Sequence, residues 1–147
     1  MSHDEEELRR LAVELRILEG TAESLRSRIN FVTVALNELN LANTTLEGIE
    51  KETADASLFV PIGGGSYIKA KLESADKILY GVGAGVAIEK TTKESREGVL
   101  NRVSELDKTR MSLEQQLTQV LMKIEEDQTK FRELASKMEQ EAGASNV

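Results

Sequence analysis

The chain has no cysteine, a single histidine and few aromatic residues, and each scarcity removes a class of function. Without cysteine there is no disulfide, no thiolate metal ligand and no cysteine nucleophile, which is typical of a protein in a reducing compartment. His3 has no second nitrogen or sulfur ligand near it in the sequence, so we predict no metal site. Because aromatics are only 3 % of residues, we expect no deep globular core.

Acidic residues outnumber basic ones, which gives a net charge of −7. An acidic surface repels phosphate backbones, and the sequence has no basic cluster that would offset the repulsion. No apolar run reaches membrane-spanning length, and the acidic N-terminal residues differ from the basic start of a signal peptide. We therefore expect a cytoplasmic protein that binds neither nucleic acid nor a membrane.

Two long stretches carry apolar residues at alternating spacings of three and four, which is typical of coiled-coil helices. Only Asn43 interrupts the first seam, whereas Arg110 and Asp127 interrupt the second. We expect both charged heads to reach water, and we expect Asp127 to loosen its end of the coil. Helices of matched length in one chain meet by folding back antiparallel. The predicted segments are an N-terminal coiled-coil helix over 2–52, a C-terminal one over 91–142 and a flexible tail over 143–147.

Capping signals mark the start of each predicted helix. Ser2 is followed three residues later by Glu5, and Thr91 by Glu94, which is the spacing of a capping box. Gly143 is the predicted stop of the second helix.

Between the helices, residues 57–90 show the two-residue alternation of β-strands. Glycine-rich turns divide this segment into two hairpins, and Pro61 is expected at an edge or a bulge because it cannot donate to a ladder. Such short hairpins leave open edges and an uncovered apolar face, so we expect those of several subunits to join in a closed β-barrel. The predicted subunit-interface residues are Leu58, Val60, Ile62, Ile68, Ala70, Leu72, Ile78, Tyr80, Val82, Val86 and Ile88.

The predicted fold class is therefore α+β, a long antiparallel two-helix coiled coil with two β-hairpins at its base that form an oligomerisation platform. The glycine clusters also raise the alternative of a phosphate-binding loop. That alternative is weak, because strand continues on both sides of each cluster where a nucleotide site needs a helix N-terminus. We expect no cofactor, and no set of residues suggests catalysis, so an enzyme is not predicted.

The outer face of the first helix carries more apolar residues than a solvated coil needs. Val13 and Ile17 lie at heptad positions that face away from the partner helix, and Phe31, Val34 and Leu41 repeat the pattern further along. We interpret the first pair as a binding surface and the other three as contacts to a neighbouring subunit.

The segments Val60–Ala70 (VPIGGGSYIKA) and Gly81–Lys90 (GVGAGVAIEK), framed by two coils, resemble the prefoldin family. Two hairpins rather than one favour its archaeal alpha-type subunit over the beta type. The resemblance extends over about residues 8–140. It implies an ATP-independent chaperone, a hetero-hexamer of two alpha-type and four beta-type subunits that holds non-native proteins and delivers them to a group II chaperonin. The implied client-binding residues, at the coil tips, are Leu8, Leu11, Val13, Leu15, Ile17, Phe131, Leu134 and Met138.

Two other classes of function remain open. A structural coiled-coil scaffold or spacer would use the coil only to set a distance. A nucleotide-dependent enzyme would use the glycine loops and would bind ATP or NAD saturably.

Overall fold

The computed structural model describes residues 2–145 of the chain. Two long helices, α1 and α2, enclose four short strands in chain order, which confirms the α+β class. The strands form two separate antiparallel sheets, hairpin one (β1 and β2) and hairpin two (β3 and β4). The elements are α1 (His3–Glu50), β1 (Ser57–Gly63), β2 (Ser66–Lys71), β3 (Lys77–Gly83), β4 (Val86–Thr91) and α2 (Thr92–Ser145).

The chain divides into two compact units. The first unit holds the described residues up to Thr33 and those from Lys108 onward, and the second unit holds Val34–Asp107. In the first unit the helices are antiparallel, since Lys137 forms an ion pair with Asp4 at 3.6 Å and Lys123 with Glu14 at 3.7 Å.

Both units bury the apolar seams that the heptad spacing predicts. The buried positions lie on one face of each helix, because residues three and four apart in a helix are neighbours on its surface. The buried apolar residues are Leu11, Ala22, Leu25, Val32, Leu36, Leu46, Val99 and Leu113.

In the second unit the polar seam residue Asn43 is hydrogen-bonded. Arg96 on α2 donates from Nε to the Asn43 side-chain oxygen at 3.2 Å. The same guanidinium forms ion pairs with Glu47 at 2.6 Å and Glu50 at 3.2 Å. The polar interruption of the first seam is therefore compensated by a cation from the opposite helix.

Both predicted caps are present. The Ser2 hydroxyl accepts from the Glu5 amide at 3.2 Å, and the Ser2 amide donates to the Glu5 carboxylate at 3.2 Å. At α2, the Thr91 hydroxyl accepts from the Glu94 amide at 3.1 Å. Thr91 is also the last residue of β4, so strand and helix join with no residue between them.

The helix ends differ by a few residues from the predicted ones. Helix α1 ends at Glu50, and the next amides, of Lys51 and Glu52, donate to carbonyls three residues back, as in a tightened last turn. Helix α2 continues through Gly143 to Ser145, because glycine costs a helix only about 1 kcal/mol and its backbone bonds persist. The last two residues of the predicted tail, 146–147, lie outside the described residues.

The two hairpins repeat one another at an offset of twenty residues, since their strands start and end at 57 and 77, 63 and 83, 66 and 86, and 71 and 91. Each turn places two residues at positive φ, at 58° and 75° for Gly64 and Gly65 and at 53° and 73° for Ala84 and Gly85. Such two-residue turns match the twist of an antiparallel pair. Each hairpin has a register irregularity just before its turn, which in β1 follows Pro61, as predicted.

Candidate functional site

The predicted client-binding residues lie in the first unit, at the end of the coil formed by the start of α1 and the last turns of α2. We call this region, residues 3–18 and 124–145, the coil end. Most of its predicted binding residues face the seam rather than solvent. Leu11 is only 1 % exposed. The half-buried ones are Leu8, Leu15, Phe131, Leu134 and Met138.

Val13 and Ile17 form the solvent-exposed part of the predicted site, and we call them the outer pair. Val13 is 52 % exposed and Ile17 is 64 % exposed. They line a shallow surface groove of about 630 Å³, together with the charged residues of the first turns of α1. The lining residues are Glu6, Arg9, Arg10, Val13, Glu14, Ile17 and Leu18.

Charge pairing holds the rim of this groove. Arg10 forms ion pairs with Glu7 at 2.6 Å and with Glu14 at 2.9 Å. The hydrogen bond from Arg10 lowers the pKa of Glu7 and raises that of Arg10. These groups are exposed, so the pairs orient the side chains and contribute little to stability.

Asp127 does not reach water as we predicted for it. Its side chain is 1 % exposed, and neither carboxylate oxygen accepts a well-oriented hydrogen bond from any described residue. The nearest cation is the Lys123 ammonium, 3.2 Å from Oδ1. The prediction was wrong because an aspartate has a single methylene, too short to carry its head out of the seam as a lysine can.

Seven of the eleven predicted subunit-interface residues lie on one face of their hairpin. In hairpin one, Leu58 is directly opposite Ala70 and Val60 opposite Ile68, so these four side chains share a face. In hairpin two, Tyr80 is opposite Ile88 and Ile78 lies on the same face. The other predicted residues lie at the bulges, beside the turns or just beyond a strand, namely Ile62, Val82, Val86 and Leu72.

The opposite face of each hairpin carries an exposed apolar residue that we did not predict. Phe59 is 68 % exposed and Leu79 is 74 % exposed, and they occupy equivalent positions of the twenty-residue repeat. Tyr67, also on this face of hairpin one, is 62 % exposed. The repeat itself was the signal that could have identified Phe59 and Leu79 as a related pair.

Hairpin two is fastened to α2 through Tyr80. Arg102 lies over the Tyr80 ring with its guanidinium carbon 4.6 Å from the ring centroid, and Lys90 lies 4.8 Å from it. Arg102 also donates to the Gly81 carbonyl at 2.7 Å. A side chain at Gly98 would place its Cβ 2.6 Å from the Tyr80 hydroxyl, so glycine is what lets the ring approach the helix.

Within the described residues, neither helix has an 18-residue stretch apolar enough to cross a membrane.

Comparison with known proteins agrees with this architecture of two seam-packed helices and two hairpins. The family model described as prefoldin subunit matches residues 18–137. The chain therefore belongs to the prefoldin family.

Its relatives are alpha-type subunits, as the hairpin motifs indicated. It is 33 % identical over 105 residues to prefoldin subunit alpha 1 of Thermococcus kodakarensis, which covers 71 % of this chain and 72 % of the relative. It is 33 % identical over 113 residues to prefoldin subunit alpha of Methanopyrus kandleri, covering 77 % and 72 %. With that of Pyrococcus horikoshii it shares 28 % identity over 138 residues, covering 93 % of each chain.

A solved structure has the same fold. The cryo-EM structure of filamentous PFD from Methanocaldococcus jannaschii aligns with a TM-score of 0.66 at 24 % identity, covering 77 % of this chain and 93 % of that one. The match supports the architecture of helices and hairpins described above.

Proposed function

We propose that this chain is a subunit of an ATP-independent molecular chaperone that captures unfolded proteins at the coil end and passes them to a group II chaperonin. Its proposed partners are beta-type prefoldin subunits, with two alpha-type and four beta-type chains in a hexamer. The proposed place of action is the cytoplasm, and no catalytic step is part of the proposal.

The exposure of the outer pair is the observation that carries the proposal. Val13 and Ile17 leave apolar surface in solvent beside the half-buried seam residues of the coil end. Unfolded proteins expose apolar side chains, and burying these against the outer pair removes apolar area from water on both sides.

One coil end should bind weakly. A patch of about 100 Å² yields only about 2–3 kcal/mol at about 25 cal/mol per Å². Useful affinity therefore comes from several subunits that hold one client at a high effective concentration. Weak individual contacts also explain how a client could leave without ATP, since each contact can be given up separately.

The hairpins are the proposed assembly surface. Each is a two-stranded sheet with open edges and an apolar face, and an isolated hairpin of this kind is marginally stable in water. Prefoldin subunits assemble as oligomers, and pairing with the strands of neighbouring subunits would cover the edges and faces.

The test is suppression of aggregation by the assembled complex. The assay contains no nucleotide. Removal of the residues before Leu18 and after Ile124 should leave assembly with a beta-type partner intact but abolish protection of a denatured client. If the truncated assembly protects the client as well as the full-length one, the coil end is not the binding site.

A point-mutant pair sharpens that test. Val13→Ser with Ile17→Ser should weaken protection several-fold, whereas Val34→Ser with Leu41→Ser, at similarly exposed positions of α1, should not. Because Val34 and Leu41 are interpreted above as subunit contacts, protection is compared only between complexes that native mass shows to be fully assembled. An equal loss of protection by both double variants would indicate non-specific binding to exposed apolar residues. A loss of protection by the second variant alone would place the binding site at Val34 and Leu41. A scaffold or spacer, the alternative function, predicts no protection by any of these proteins.

A further inference from the structure

The coil end contains one buried charge that its surroundings compensate only in part. Asp127 and Leu11 are each 1 % exposed, so the carboxylate is enclosed as completely as the best-packed leucine of the seam. Apart from the contact with the Lys123 ammonium at 3.2 Å, neither Asp127 oxygen has a hydrogen-bond donor among the residues that the structure describes. A buried carboxylate without such bonds favours any rearrangement that returns it to water.

The single cation beside Asp127 is divided among several carboxylates. The Lys123 ammonium lies 3.2 Å from Asp127, 3.7 Å from Glu14 on α1 and 3.7 Å from Glu126. The hydrogen-bonding contact with the Asp127 carboxylate, followed by the charges of Asp127, Glu126 and Glu14, raises the pKa of Lys123. Its side chain is 42 % exposed, so water screens its attraction for each of the three partners. Glu14 is the only one of the three on α1, which makes this ion pair the electrostatic link between the helices at this point.

We propose that Asp127 makes the coil end a two-state latch. In the closed state, which the structure shows, α1 and α2 pack with Asp127 enclosed and linked to Glu14 only through Lys123. In the open state the helix segments 3–14 and 127–145 separate, Asp127 is hydrated, and the seam residues of the coil end become accessible. Hydration of the carboxylate lowers the free energy of opening, because the closed state loses that hydration.

The latch deepens the proposed function and rests on it for the identity of the ligand. The seam residues that the closed state covers are the same ones that a client would use, so client and partner helix compete for one apolar surface. The outer pair offers the first contact, and opening then adds the seam residues. The surface that opening adds consists of Leu8, Leu11, Leu15, Phe131, Leu134 and Met138.

The test compares three variants in complexes assembled with a beta-type partner. Asp127→Leu replaces the buried charge with an apolar side chain, and Asp127→Asn removes the charge but keeps a polar group. Glu125→Leu is the matched control, since it also replaces a carboxylate with leucine, but at an exposed position two residues away. Native mass and circular dichroism establish that each variant assembles and is helical.

Hydrogen exchange followed by mass spectrometry measures opening directly. We expect Asp127→Leu to slow exchange in segments 3–14 and 127–145 at least tenfold, about 1.4 kcal/mol in opening free energy, while exchange in 34–107 is unchanged. Asp127→Asn should slow it less, and Glu125→Leu should not change it. Equal exchange in wild type and both Asp127 variants would overturn the latch, as would equal slowing by Glu125→Leu.

Aggregation suppression measures the use of the opened surface. We expect Asp127→Leu to protect a denatured client several-fold less well than Glu125→Leu does. Slowed exchange with undiminished protection would overturn the role of the seam in binding. If the wild-type complex itself gives no protection, the proposed chaperone function fails, whereas the exchange measurement still decides whether the latch exists.

Discussion

Hairpin one and hairpin two have the same strand lengths, the same register and the same kind of turn, yet only the second is fastened to a helix. Tyr80 in hairpin two lies against Gly98 and under Arg102, whereas its counterpart in hairpin one is Val60. Among residues 2–145, no side chain of hairpin one forms a hydrogen bond, ion pair or ring contact with either helix. The fold of a hairpin is therefore separable from its attachment.

This difference indicates what each hairpin needs from a partner. The turn and the cross-strand pairs specify a hairpin locally. Orientation requires a further contact, which α2 supplies to hairpin two. In the assembly proposed above, a neighbouring subunit would supply this contact to hairpin one.

The largest expected effect is on assembly, and it tests whether both hairpins contribute. Ile68→Asp and Ile88→Asp change equivalent residues on the predicted interface face. An unpaired carboxylate in a closed interface costs several kcal/mol, so either change should abolish the complex with a beta-type partner in native mass spectrometry. Retention of full assembly by one variant would show that its hairpin does not contribute an interface on that face.

A pair of glycine substitutions should separate the attached hairpin from ordinary helix effects. Gly98→Ala forces a Cβ within 2.6 Å of the Tyr80 hydroxyl, whereas a Cβ at Gly20 would meet nothing within 4 Å. We expect Gly20→Ala to stabilise the chain by up to about 1 kcal/mol, because alanine has the higher helix propensity. Gly98→Ala has the same gain in helix propensity, but the clash with Tyr80 should leave a net destabilisation of about 1–2 kcal/mol. Urea unfolding measures both, and a gain for both would mean that the ring moves away without loss.

Arg102→Gln should loosen hairpin two without affecting hairpin one. It removes the cation over the Tyr80 ring and weakens the bond to the Gly81 carbonyl, a loss of about 1–2 kcal/mol. Amide exchange should therefore rise in 77–91 and stay constant in 57–71. Lys90→Ala, which restores the hairpin-one residue type at the equivalent position, should have a smaller effect in the same direction. Equal acceleration in both hairpins would contradict separate attachment.

The smallest effect concerns the turns, where the hairpins differ by one residue. Ala84 has a φ of 53°, and Gly64 has nearly the same φ at the equivalent position. Because a Cβ is unfavourable at positive φ, Ala84→Gly should stabilise hairpin two and Gly64→Ala should destabilise hairpin one, each by less than about 1 kcal/mol. Local amide exchange rates at the two turns measure these stability changes. A change of the same sign in both hairpins would contradict the prediction.

Features that depend on spacing along the chain were predictable from the sequence. The seams follow from three- and four-residue spacing, the caps at Ser2 and Thr91 from polar residues three before a glutamate, and the hairpins from alternation around glycine turns. The hairpin motifs also carried the resemblance to the prefoldin family, which the match to the family model and to alpha-type relatives confirms.

Features that depend on which residues meet in space were not predictable in the same way. Asp127 was expected to reach water, because spacing shows its seam position but not how completely α1 encloses it. The approach of Tyr80 to Gly98 was not predicted, since a glycine in a helical segment by itself indicates only lower helix stability. The seam burial of the predicted binding residues Leu8, Leu11 and Leu15 is likewise a property of the helix pair.

The direct junction between Thr91 and Thr92 couples hairpin two to its helix more tightly than hairpin one is coupled to α1. Hairpin one is connected to α1 through residues 51–56, which can absorb a change of direction, but β4 passes into α2 without a spacer. A displacement of the start of α2 is therefore passed directly to β4, and the hydroxyl that caps the helix belongs to Thr91, the residue paired with Lys77. A sideways force on this helix should break strand pairing in hairpin two before it disturbs hairpin one.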